Sequence, residues 1–325
     1  MPSHSLSRPR SILFGLALGL APLLMPPLAA QTKPALPSGP VGTADTPDPD
    51  GLIGDPVRDG AVLAAIERYL AGDHATALAV IRPEAEAGHP RAMNVLADAY
   101  DSGRGVARDI QMALVWWERA ADAGDRRAPM NIGIVHRDGE TGAAPDHALA
   151  RRWFARSAEM GYGPAMARLG HMLENGQGGA VDLPGALALY RQGQAEGSRW
   201  AYEYEAHLHR TGTGVPEDMA RARALFTRGA ELGLAQSMNN LGVMLRDGMG
   251  GPADPEGAEA QFRAASALGY ALADLNLASF LAFGSEPARP AEALTFCEQA
   301  RERDPALWAD WLADCTTIAK WVQDS

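Results

Sequence analysis

The strongest constraint on this chain is a period. Gly88, Gly124, Gly161, Gly197, Gly233 and Gly269 stand 36, 37, 36, 36 and 36 residues apart, and Asp73, Asp109, Asp146, Asp182, Asp218 and Asp254 keep the same intervals. A unit of this length, with no strand-like run between its markers, cannot bury an apolar face alone and does so by stacking on copies of itself. The expectation is an all-α fold: a right-handed α-solenoid, or superhelix, of stacked antiparallel helix pairs with a C-terminal capping helix. The 325 residues then count repeats rather than domains.

Each copy reads as a helix, a glycine-bearing loop, a second helix and a tight turn. Counting back from the loop glycines Gly103, Gly139, Gly176, Gly212, Gly248 and Gly284, the eleventh residue is Ala92, Ala128, Ala165, Ala201, Ser237 or Ala273. The sixth is Ala97, Gly133, Gly170, Ala206, Gly242 or Ala278, and the seventh is Leu96, Ile132, Leu169, Leu241 or Leu277, with Glu205 as the exception. Glycine in mid-helix costs on the order of 1 kcal/mol against alanine, so its recurrence implies a neighbouring helix too close for a β-carbon. The second helix opens at the recurrent Asp, a residue that caps free amides and favours a helix start. Eight residues on stands one ring per copy: Trp117, Phe154, Tyr190, Phe226 and Phe262. These read as core wedges.

The pattern small-x-x-x-Leu-Gly-x-x-Tyr-x-x-Gly-x-Gly-Val-x-x-Asp-x-x-x-Ala-x-x-x-aromatic, fullest at Ala92–Gly124 and Ala201–Gly233, resembles the Sel-one-like repeat, a relative of the tetratricopeptide repeat. It departs from that pattern at Glu205, at one extra residue between Gly139 and Asp146, and at Gly284–Arg289, where the second glycine is missing. The resemblance implies an adaptor that binds protein or peptide. A second implication, an exported hydrolase of β-lactamase-like type, comes from the cysteine-rich secreted branch of the family. That branch carries a cysteine pair in each repeat, which these repeats lack.

The division expected is 1–30 signal peptide, 31–57 flexible Pro/Gly-rich linker, 58–89 N-terminal capping helix pair, 90–303 an array of about six repeats, and 304–325 the capping helix. Arg8 and Arg10 precede the apolar run Ile12–Met25, and Leu28-Ala29-Ala30 fits cleavage after Ala30. Pro22, Pro26 and Pro27 interrupt that run, which argues against a membrane anchor. The expected compartment is periplasmic or secreted, and no later stretch is long and apolar enough to span a bilayer. Cys297 and Cys315 are the only cysteines, and in an oxidising compartment two thiols on adjacent helices pair, stapling the cap to the array.

The net charge is −11, and −13 without the two leader arginines, which repels phosphate backbones and sets nucleic acid aside as a partner. The Gly-x-Gly loops follow no strand, so they are turns rather than phosphate cradles. The eight histidines are scattered, with His171 and His207 in one slot and no third ligand, so no metal or cofactor is expected. No catalytic motif is visible, and no catalytic residue is assigned.

Binding is expected on the concave side, lined by the first helices. Their residues facing away from the apolar slots include Asn94, Asp98, Arg127, Arg137, His171, Trp200, Glu203, His207, Arg210, Asn239 and Arg246. Arg137, Arg210 and Arg246 share one slot, so the groove is expected to be locally basic and to hold a carboxylate or an acidic segment of an envelope partner.

Overall fold

The computed structural model describes residues 56–285 and 287–324; the expected signal peptide 1–30 and the linker as far as residue 55 lie outside the described residues. It is an all-α solenoid, and no strand occurs among the described residues. The helices run α1 (Pro56–Leu70), α2 (His74–Glu86), α3 (Pro90–Ser102), α4 (Ile110–Asp122), α5 (Ala128–Asp138), α6 (His147–Glu159), α7 (Gly163–Glu174) and α8 (Leu183–Ala195). They continue with α9 (Arg199–Thr211), α10 (Met219–Glu231), α11 (Ala235–Asp247), α12 (Pro255–Ala267), α13 (Ala271–Ser279), α14 (Pro290–Arg303), α15 (Pro305–Asp310) and α16 (Leu312–Asp324). Consecutive helices pair, and the first helices of neighbouring repeats also pack on one another, as α7 does on α9 and α11 on α13. The first helices therefore form the closely packed wall of the stack.

The recurrent Asp does the work expected of it. Asp109 accepts from the backbone N–H of Met112, Asp146 from Leu149, Asp182 from Gly185, Asp218 from Arg221 and Asp254 from Gly257, at 2.8–3.1 Å. Each such cap contributes about 1 kcal/mol. The backbone N–H of the same Asp closes the loop onto the preceding helix: Asp109 on the Tyr100 carbonyl, Asp218 on His209 and Asp254 on Leu245, each at 2.8 Å. One residue thus starts a helix and fixes its angle to the last one.

The mid-helix glycines answer first to the rings, and at Gly170 also to the Ala186 carbonyl of the neighbouring helix, 3.2 Å from where a β-carbon would stand. A β-carbon on Gly133 would stand 2.7 Å from the Phe154 ring, one on Gly170 2.6 Å from Tyr190, and one on Gly242 2.7 Å from Phe262. The three rings and Trp117 are fully buried. At the array's start, buried Asp59 of α1 accepts from His89 Nε2 at 2.8 Å, while His89 Nδ1 caps α3 by accepting from Ala92 N–H. Donor and acceptor roles of that ring are fixed by its two partners.

The C-terminal end departs from the expected plan. The loop after Gly284 is one residue shorter than in the regular copies, and the helix absorbs the loss: α13 stops at Ser279 and a π-helical turn, Phe280–Gly284, follows. A wider last turn still delivers the Leu281 carbonyl to Arg289 N–H at 2.8 Å, the same loop closure as elsewhere. Cys297 occupies the ring slot of this copy, eight residues after Arg289. It is joined to Cys315 with S–S 2.09 Å, and both are buried. The expected single capping helix is two, α15 and α16. Trp311 closes α15, while its own carbonyl accepts from Cys315 N–H at 3.1 Å and opens α16 on the side where Cys315 meets α14.

Candidate functional site

The residues expected to line a solvated groove are for the most part buried between first helices. Asn94, Arg137, His171, Glu203, His207, Arg210 and Asn239 are buried; Asp98, Arg127, Trp200 and Arg246 are half-buried. This corrects their expected exposure. Small residues draw successive first helices so close that polar side chains between them bond to each other across the repeat boundary.

Two such networks stand out. Between α3 and α5, Asp98 Oδ1 accepts from Trp117 Nε1 at 2.9 Å and from Asn131 Nδ2 at 3.1 Å, and its Oδ2 accepts from Asn94 at 3.5 Å. Burial pushes the Asp98 carboxyl up to about 7, with the Trp117 hydrogen bond opposing. Asp125 sits nearby, also raised by burial; it caps α5 through the N–H groups of Arg127 (2.9 Å) and Ala128 (3.1 Å). Between α9 and α11, Glu203 accepts from Asn240 (2.8 Å), from Ser237 and from His207 Nε2 (3.0 Å), and Arg210 donates to His207 Nδ1 at 3.0 Å. Burial lowers the Arg210 guanidinium, and Glu203 works against that shift.

The slot of three arginines is not the basic stripe expected. Arg137 is held by both oxygens of Asp138 at 2.6 and 2.7 Å, and Arg246 by both oxygens of Asp247 at the same distances. Each guanidinium thus carries its own counter-charge one residue on. Asn239 pairs with Asn276 at 2.7 Å, away from the other expected residues. His171 and Trp200 meet around Tyr204, at ring distances of 5.0 and 6.0 Å, and His171 and His207 do not form a shared ligand pair: His207 packs edge-on against Phe226. Tyr204 is fully buried, its hydroxyl meets no hydrogen-bond partner among the described residues, and burial raises its pKa.

The sequence reading missed Asn131, Asn240 and Asn276. All three stand eight residues before a loop glycine, so extending the slot count by one position would have found them. It also left Glu205 as a bare exception. That carboxylate, fully buried on the other side of α9, is met by Gln194 (2.5 Å), Arg191 (3.3 Å), His209 (3.5 Å) and Arg221 (3.7 Å).

Stacked helix pairs joined by bonds across each repeat boundary define a helical-repeat protein of the tetratricopeptide-like class. The Sel1 repeat family matches at residues 90–125, 128–162, 163–197, 201–234 and 235–270, more than half of the chain. The chain belongs to the Sel1 repeat family. The irregular pair α13–α14 lies beyond the matched residues. Among solved structures, the chain is similar to a Sel1 repeat protein from Oxalobacter formigenes: 26% identity, TM-score 0.66, covering 74% of this chain and 96% of that one. It is also similar to a protective antigen present in uropathogenic Escherichia coli strains, which displays an SLR fold: 25% identity, TM-score 0.62, covering 76% of this chain and 54% of that one. A comparison with curated proteins finds no match. Sel1 repeat proteins generally serve as protein–protein interaction scaffolds, and nothing in these comparisons supports the hydrolase reading.

Proposed function

We propose that this chain is an exported scaffold that binds a protein or peptide in the cell envelope through its first-helix wall, where it assembles a complex or regulates a membrane sensor or enzyme. The observation that carries the reading is the division of labour in that wall. Buried residues such as Asn94, Glu203, His207 and Asn239 bond first helices to one another, and the half-buried Arg127, Trp200 and Arg246 leave part of their side chains open to a partner. Side chains whose backbones are fixed by neighbours lose little entropy on binding. The leader supports export, with cleavage after Ala30, and a buried Cys297–Cys315 pair suits an oxidising compartment.

Two measurements test this. Mature protein recovered from the envelope should begin at Gln31 and gain the mass of two hydrogen atoms on reduction; an intact leader or two free thiols rejects export. Trp200→Ala with Arg246→Glu should weaken capture of a crosslinked envelope partner by on the order of tenfold or more, as expected for an aromatic anchor, at a temperature where circular dichroism shows the variant fully folded. Unchanged capture rejects the wall as the binding face. Arg210→Glu is unsuitable for this purpose, because it removes the donor to His207 and places a second carboxylate beside Glu203.

A further inference from the structure

The outward side of the array carries a feature that the binding wall does not use. On α6, Leu149, Arg152, Trp153 and Arg156 stand at spacings of three, four and seven residues, which puts them on one helix face. They line an open pocket of about 330 Å³. The Arg156 guanidinium lies over the Trp153 ring at 5.5 Å, and Trp153 itself packs against the apolar core of the preceding repeats. The same slots on α4 hold Met112, Val115, Trp116 and Arg119, with Arg119 over the Trp116 ring at 4.9 Å. Met112 and Val115 are exposed, and the buried Trp116 indole N–H meets no acceptor among the described residues.

Later repeats lose the tryptophan: the slots of Leu149, Trp153 and Arg156 hold Gly185, Leu189 and Gln192 on α8, Arg221, Leu225 and Arg228 on α10, and Gly257, Gln261 and Ala264 on α12. The stripe is therefore a property of two repeats and not a requirement of the stack. Its charge also runs against the chain. α6 carries Arg151, Arg152 and Arg156 against Glu159 alone, in a protein of net charge −11. Arg152 is exposed and makes no hydrogen bond or ion pair among the described residues. Among the described residues Arg156 is hydrogen-bonded, at 2.9 Å, only to Asp122, whose side chain is 74% exposed; a surface pair of that kind is worth little and exchanges readily.

We propose that the outward stripe of α4 and α6 is a second docking site, separate from the first-helix wall, and that it takes a peptide segment presenting a carboxylate beside an apolar side chain. The apolar side chain packs against Leu149 and the Trp153 ring, and the carboxylate takes Arg152 and displaces Asp122 from Arg156. Stacking on tryptophan holds the Arg156 guanidinium in place, so little ordering is lost when the anion arrives. Charge complementarity selects the occupant: a basic segment meets Arg152 and Arg156, and a wholly polar one leaves the Trp153 pocket unfilled.

The test uses mature full-length chain and three labelled peptides of about a dozen residues, identical except that Glu, Gln or Lys alternates with Leu. Fluorescence anisotropy should rank them Glu, Gln, Lys in falling affinity, with the Glu and Lys peptides differing by on the order of tenfold or more. Arg152→Glu, which breaks no hydrogen bond or ion pair among the described residues, should shrink that ratio severalfold, and Arg152→Glu/Arg156→Glu should invert it. Trp153→Leu should weaken all three peptides together. Wall variants Trp200→Ala and Arg246→Glu should leave the ranking intact, so failure of this site and failure of the wall are told apart. No binding of the Glu peptide below about 1 mM, or a ranking unmoved by Arg152→Glu, overturns the proposal.

Discussion

Asp98 and Glu203 solve the same problem with opposite means. Each is an acid in the first-helix wall, each bridges to the next repeat, and each accepts from an asparagine of the following first helix, Asn131 or Asn240. Around Asp98 the donors are neutral, an indole and two amides, and the carboxyl is pushed up to about 7. Around Glu203 a histidine and an arginine stand within one relay, His207 at 3.0 Å and Arg210 a further 3.0 Å on. The two acids thus differ in the groups that meet them, neutral donors at Asp98 and a histidine backed by an arginine at Glu203. The repeat tolerates either solution because its helical register is set elsewhere, by the capping Asp and the glycine beneath the ring.

Glu203→Leu should produce the largest effect. It strands Asn240, Ser237 and His207 without their shared acceptor and takes a counter-charge from Arg210, which reaches Glu203 through His207; removing one partner of such a buried network costs about 3–5 kcal/mol. Urea denaturation at neutral pH measures it; a loss under about 1 kcal/mol would show that the relay contributes little to stability.

Asp98→Asn should do less, and its sign should depend on pH. The folded carboxyl titrates at about 7, above its ordinary 3.8, so between those values the native chain holds a proton that the unfolded chain has released. Stability contributed by Asp98 is thus full at low pH and is lost as pH rises from 3.8 to about 7, with a slope of up to ~1.4 kcal/mol per pH unit. Asp98→Asn removes this slope. The variant should be less stable than wild type by about 1 kcal/mol near pH 4, through imperfect amide bonding, and equal or more stable above pH 7. Parallel stability curves for the two proteins would show that Asp98 titrates normally.

The regular part of the fold was legible because its determinants are local and repeated. An Asp at a fixed interval caps a helix wherever it falls, and the glycine at Gly133, Gly170 or Gly242 declares a close approach, although only the structure shows that Phe154, Tyr190 or Phe262 makes it. The wall was legible in membership but not in state. Slot counting placed Glu203 and Asn239 on it, and nothing local to either residue tells how near the next helix comes; that distance depends on Ala201, Ser237 and the rings behind them. The C-terminal end was least legible, because one missing loop residue was absorbed inside a helix as a π turn, and Cys297 stands where a ring had been the rule.

Glu205 isolates what the contrast between Asp98 and Glu203 rests on, since it sits two residues from Glu203 and is equally buried. Its partners differ: Arg191 and Arg221 have side chains 57% and 49% exposed, so both return to water if the carboxylate goes. Gln194 keeps a second acceptor, the Ala201 carbonyl at 3.3 Å, and neither ring nitrogen of His209 has a hydrogen bond to lose. The slot is otherwise an aliphatic one, filled by Leu96, Leu169, Leu241 and Leu277. Glu205→Leu should therefore lie within about 1 kcal/mol of wild type, or above it, because a well-packed apolar residue replaces a buried ion cluster at little net cost. Glu205→Ala, which leaves a cavity as well, should lose about 2 kcal/mol or more. If Glu205→Leu instead costs as much as Glu203→Leu, burial alone sets the penalty, and the exposure of the partner cations is not what separates a replaceable carboxylate from an indispensable one.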